Sequence, residues 1–126
     1  MSQAKPGDSA GTRSLLNRYY RALSSGGDWG AFLSDDFFLA GTVVKESRGR
    51  DAYVNNGFFR MVRGLRVKNL IVEGEAGFAL VGYDLISPKG RPFSCDVAEF
   101  WKARGGKLDS VAIYFDTAAF SNLVAQ

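Results

Sequence analysis

Between positions 12 and 24, Leu15, Leu16, Tyr19, Tyr20 and Leu23 recur at three- and four-residue steps, which sets them on one face of a helix. Arg13, Asn17, Arg18 and Arg21 fall mostly off that face. Ser24-Ser25-Gly26-Gly27 ends the pattern, because glycine readily takes the left-handed conformation at a helix C-terminus. Asp28 is placed to cap a short second helix carrying Trp29, Phe32 and Leu33. Ser34-Asp35-Asp36 reads as a turn, and the aromatic and β-branched run from Phe37 to Lys45 as a strand weakened at Gly41. A third helix is expected over 51–63, capped by Asp51, with Val54, Phe58, Met61 and Val62 inward and Asn55-Asn56-Gly57 a weak point.

From Leu65 the period changes. Strands are expected at 65–74, 76–87, 92–104 and 107–116, separated by Gly74, by Pro88-Lys89-Gly90 and by the Arg104-Gly105-Gly106-Lys107 turn. Short turns between successive strands make them antiparallel. Asp116 can cap a last helix, Thr117 to Val124. Helices first and strands afterwards, with no repeat or linker, predict an α+β fold: a single domain over 12–126 behind a flexible tail at 1–11.

Alternation sorts the last hairpin into two faces. A two-residue turn at Gly105-Gly106 pairs Phe100 with Val111, Ala98 with Ile113 and Asp96 with Phe115. One face, read as the inner one, then holds Ser94, Asp96, Ala98, Phe100, Val111, Ile113 and Phe115. The other holds Cys95, Val97, Glu99, Trp101 and Tyr114. Both faces are apolar, and one layer of helices covers only one. The second, with Val97, Trp101 and Tyr114, is expected to form a homodimer interface. A turn at Pro88 to Pro92 sets Asp84 opposite Asp96, where two carboxyl groups would share a proton; a one-residue shift abolishes the pair.

Composition narrows the chemistry. The chain of 126 residues has no histidine and one cysteine, which removes the commonest general base and metal ligand and leaves no ligand set for structural zinc. Carboxylates and tyrosines remain as candidate acids and bases, and Cys95 lacks a basic partner. The net charge of +3 is mild. Its densest basic group, Arg60, Arg63, Arg66 and Lys68, reads as a solvated edge, with a phosphate-binding stripe as the alternative. Neither nucleic acid nor membrane is expected as a partner. With no signal-type segment and no apolar run of the roughly 18 residues a span needs, the chain is expected to be cytoplasmic.

The stretches NRYYRALSSGGDW, LSDDFF, GRDAYVNNGFF, LIVEGEAGFALVGYD and AEFWKARGGKLDSVAIYFD together resemble the nuclear-transport-factor-2-like (NTF2-like) superfamily. The resemblance covers 12–124, is closest to the SnoaL-like branch with its polyketide cyclases, and extends to ketosteroid isomerases. It implies a cone-shaped barrel: a curved antiparallel sheet of cystatin-like type, with the N-terminal helices on its concave face and a deep pocket for a small apolar molecule. It also implies a dimer; no cofactor is expected, because proton transfer by carboxylates suits a chain without histidine or metal ligands. Tyr19 matches the isomerase tyrosine that donates to the developing oxyanion, but the positions of the base and the second oxyanion donor fall on Gly41 and Ala98. Asp116 resembles the acid/base aspartate of the cyclases, or caps the last helix. Asp96, one step from Ala98, stands as a relocated acid/base or a residue at the pocket mouth. Trp29, Phe58 and Phe100 stand as core or pocket wall, with Asp84, Ala98, Ile113 and Phe115 completing the expected lining. Two functions follow as expectations: a cofactor-independent isomerase, cyclase or hydrolase working by acid/base chemistry, or a non-catalytic dimeric binding module.

Overall fold

A computed structural model describes residues 8–126. Helix α1, Ser9–Ser25, begins where the Asp8 carboxylate accepts from the Gly11 N–H at 2.6 Å, and ends at Gly26 with φ of 75°. It is longer than the 12–24 pattern because its first turn is tied down. Ser9 Oγ accepts from Gly74 N at 2.8 Å, and Thr12 Oγ1 donates to Gly74 O at 2.7 Å. Residues 9–11 of the expected tail therefore belong to the helix; 1–7 lie outside the described residues.

Trp29–Phe32 makes one 3-10 turn, and the Asp28 side chain does not cap it. Strand β1, Leu33–Leu39, takes in the Ser34-Asp35-Asp36 segment expected to be a turn. Its partner explains why: β1 lies parallel to β6, and Ser34 Oγ donates to Asp109 Oδ1 at 3.0 Å. Strand β2, Ser47–Arg48, adds a short edge. The expected 51–63 helix is two pieces, α2 (Arg50–Val54) and α3 (Phe58–Met61). Asn55 Nδ2 donates to Asp51 O and Asn56 Oδ1 accepts from Phe58 N, so the asparagines satisfy local backbone groups in place of a continuous helix. Gly49, not Asp51, holds the cap position of α2.

Strands β3 (Val62–Glu73), β4 (Ala76–Ile86), β5 (Pro92–Arg104) and β6 (Lys107–Tyr114) follow, then α4 (Thr117–Val124). The sheet order is β2-β1-β6-β5-β4-β3. It is curved and unclosed, and antiparallel except at β1–β6, so the expected all-antiparallel sheet is corrected to a mixed one. β3 is the edge that carries Arg63, Arg66 and Lys68, with Arg60 in α3 before it, and Arg66 and Lys68 are ion-paired there to Asp84 and Asp96.

The two faces of β5 are the reverse of the expected ones. Val97, Glu99 and Trp101 point inward beneath α1, and Trp101 is fully buried. Ser94, Asp96, Ala98 and Phe100 point outward, leaving Phe100 42% exposed. A bulge at the last hairpin is one reason. Arg104 and Ala103 pair with Lys107 and Leu108, but Lys102 pairs with Ser110, so Asp109 is extra. Phe100 then faces Ala112, Trp101 faces Val111, and a one-residue slip exchanges the company each face keeps. In the preceding hairpin Asp84 lies opposite Ser94 and Asp96 opposite Gly82, so the two aspartates are not a pair. Val97 and Trp101 thus leave the expected dimer surface, where Tyr114 stays exposed beside Phe100 and Ile71.

Gly77 of β4 lets α1 lie close to the sheet: a Cβ there would stand 2.5 Å from Leu16 Cδ1. Over that contact, Tyr19 packs edge-on against Tyr20, Trp29 and Trp101 and forms the centre of an aromatic core.

Candidate active site

At the other end of the concave face, the core leaves a cavity of about 190 Å³. β5 contributes Cys95, Val97 and Glu99; the broken helix contributes Tyr53, Asn56, Phe58, Phe59 and Met61. Leu39, Val44, Ile113, Phe115 and Phe120 of α4 complete the wall. Phe58 and Phe59 enter this wall just past the break at Asn55-Asn56-Gly57.

Glu99 is a buried carboxyl group on this wall, at 4% exposure. Tyr20 Oη donates to its Oε1, and Tyr83 Oη donates to its Oε2 at 2.6 Å. Trp101 Nε1 donates in turn to Tyr20 Oη at 2.8 Å. Burial without a cationic partner lifts the Glu99 pKa from 4.5 to about 7, while the donors Tyr20, Tyr83 and Trp101 pull the other way. The phenols themselves stay protonated: burial first, and the Glu99 charge next, push Tyr20 and Tyr83 well above the usual tyrosine value.

The wiring limits where the Glu99 proton goes. Both carboxyl oxygens accept from phenols, and the Tyr20 oxygen is already occupied by the indole N–H. For a proton gained by Glu99, the lone pairs left on the two phenols and a molecule in the cavity are the possible acceptors. Tyr53 is the second polar group of the network on this wall. Burial first, and the Glu99 charge next, raise its pKa, so it stays a phenol able to donate to a molecule in the cavity it lines. A carboxyl group that titrates near neutrality beside a phenol donor can move a proton and hold the oxyanion that results.

Of the residues expected from sequence, Phe58, Ile113 and Phe115 line the cavity. Asp84, Ala98 and Phe100 lie on the outer face, and Trp29 packs behind the wall against Phe59 and Tyr53. Tyr19 is core and reaches the cavity through Tyr53. The Asp96 carboxylate is 56% exposed and bound by Lys68 Nζ at 2.8 and 2.9 Å. Asp116 caps α4, accepting from Ala119 N at 3.0 Å. Both aspartates border a surface groove on the far side of Cys95 and Phe120, and neither lines the cavity. Burial, then the charges of Asp96 and Asp116, raise the Cys95 pKa and keep it a thiol.

Glu99 belongs to the face that alternation alone left as the outer one. The available signal was its company: an acidic residue sharing one strand face with Val97 and Trp101 must find donors or a proton. Ala98 faces outward, and the next residue, Glu99, is the one whose side chain points inward.

No protein-family model matches the chain, and no curated protein matches its sequence. Solved structures do match its fold. A protein from Jannaschia sp. CCS1, provisionally named a SnoaL-like polyketide cyclase, aligns with a TM-score of 0.78 at 13% identity over 98% of both chains. One from Kribbella flavida DSM 17836, provisionally named a ketosteroid isomerase, aligns at 0.74 and 19% identity over 87% of this chain and 81% of its own. An NTF2-like protein of unknown function from Burkholderia pseudomallei K96243 aligns at 0.74 and 17% identity over 92% and 98%.

Proposed function

We propose that this chain, with the fold of the NTF2-like proteins, binds a small apolar molecule in its cavity and moves a proton on it with Glu99 as acid and base. The observation that carries the reading is a buried carboxyl group with a pKa of about 7, held by two phenols and facing an apolar cavity. Tyr20, Tyr83 and Trp101 orient the carboxyl group, and Tyr53 donates to the oxygen on which charge develops. Isomerisation and ring closure both need only this: one proton removed, one anion held, one proton returned. The two solved neighbours with provisional names are called after such reactions.

A second copy of the chain belongs to the same proposal. Ile71, Phe100 and Tyr114 stand exposed together on the outer sheet face, an apolar surface suited to a homodimer.

The test is deuterium uptake from D2O by a panel of enolisable ketones, followed by NMR. Wild-type protein is expected to speed exchange, and Glu99→Gln to slow it about 10²-fold or more with the fold retained. Equal exchange by the two proteins removes Glu99 from the chemistry. The binding-module reading draws on Gly41, where the resemblance would have put a carboxylate base. Tight ligand binding with no exchange would establish that reading instead.

A further inference from the structure

The cavity itself restricts what can be bound. An apolar cavity of about 150 Å³ accommodates a single benzene molecule. At about 190 Å³, this one holds a ring with one or two small substituents. Its walls brace each other. Phe58 meets Tyr83 edge-on at 5.0 Å between centroids, Phe115 meets Phe120 at 5.2 Å, and Tyr53 meets Phe59 at 5.1 Å. A second ring would have to move several of these contacts together, which close-packed interiors resist, or lie in the open mouth without the wall around it.

Charge and polarity narrow the class further. Among the described residues no lysine or arginine lines the cavity, and the ionisable groups there are Glu99, the phenol of Tyr53 and the thiol of Cys95. A carboxylate or phosphate bound here would lie beside Glu99 with no countercharge, which burial makes costly. Apart from those three groups and Asn56, the lining is hydrocarbon, aromatic or thioether.

We propose that the cavity is built for an uncharged, single-ring carbonyl compound, with its oxygen on Tyr53 and an acidic C–H beside Glu99. The catalytic half of this statement rests on the acid/base reading above; the limits of size and charge do not. In the step itself, the Glu99 carboxylate takes the proton from the carbon next to the carbonyl. The C–H electron pair becomes the enolate C=C bond, and the carbonyl π pair moves onto oxygen, where the Tyr53 hydroxyl donates to it. Glu99 then returns the proton to the same carbon or to the conjugated one. Nothing is oxidised or reduced.

The test uses cyclohex-2-enone, a two-ring octalone, a four-ring steroid enone and cyclohexanecarboxylate, each titrated against the full chain. Binding is read from the fluorescence of Trp29 and Trp101, which adjoin the cavity wall, and exchange from deuterium uptake by the three ketones. The one-ring ketone is expected to bind, and the larger ketones to bind about tenfold or more weakly, because overpacking strains the wall. The carboxylate anion is expected not to bind. Met61→Ala, which removes a wall side chain, should improve binding of the octalone. Equal binding of all three ketones, tight binding of the carboxylate, or no binding of the one-ring ketone overturns the inference. Size-selective binding without exchange supports it and overturns the acid/base reading. Exchange with the octalone and steroid as fast as with cyclohexenone has the opposite meaning.

Discussion

Glu99 is in a double bind: burial favours its neutral form, and two phenol donors favour its charged one. The outcome, a pKa of about 7 against 4.5, has a consequence for stability. Between those values the folded protein keeps a proton that the unfolded chain has released, so the group costs nothing below about pH 4.5. Its cost grows as pH rises through the interval and levels off above about pH 7, at roughly 3 kcal/mol in full. Urea unfolding should therefore show a lower midpoint at about pH 8 than at about pH 5, and Glu99→Gln should remove most of that difference. Tyr83→Phe deletes a donor that lowers the Glu99 pKa. Its stability loss and its pH–rate midpoint should both move to higher pH, and a carboxyl stretch followed by infrared titration would report the shift directly.

At the scale of elements, two contacts are open to test. The α1–sheet contact depends on Gly77, where an added methyl group would collide with the buried Leu16. Gly77→Ala is expected to cost about 1–3 kcal/mol, read as a lower thermal midpoint, although alanine suits a strand no worse than glycine does. Asp116 separates its two roles cleanly. Asn caps a helix as well as Asp does but cannot take a proton, so Asp116→Asn should leave both stability and turnover near wild type. Asp116→Ala should lower stability by about 1 kcal/mol by loosening α4, which carries Phe120 on the cavity wall. A large fall in turnover for Asp116→Asn would return that residue to the chemistry.

For the whole molecule, the concave face is filled by α1 and the aromatic core, and the outer face is left with Ile71, Phe100 and Tyr114 exposed. Ile71 alone is 66% exposed on the long edge strand β3. If a second copy covers this face, Ile71→Lys combined with Tyr114→Glu should convert a dimer to a monomer in sedimentation velocity while leaving the Glu99 cavity able to bind. A wild-type chain that sediments as a monomer would remove the dimer from the proposal. Among the described residues no helix is long and apolar enough to cross a membrane.

Much of this molecule was legible from local pattern. The apolar face of α1, the long strands β4 and β5, the Gly105-Gly106 turn and the Asp116 cap all rest on contacts between residues near in sequence, which spacing and turn chemistry report. The α+β order followed from these, and so did the resemblance to the NTF2-like fold. The site did not, because alternation says which residues share a face and never which face is inside. That was decided by the Asp109 bulge, by the parallel pairing of β1 with β6, and by α1 laying Tyr19 and Tyr20 over Trp101. Each joins segments far apart in the chain. Once Trp101 was buried, Glu99 had to follow it inward, and Asp96 had to face Lys68 and solvent.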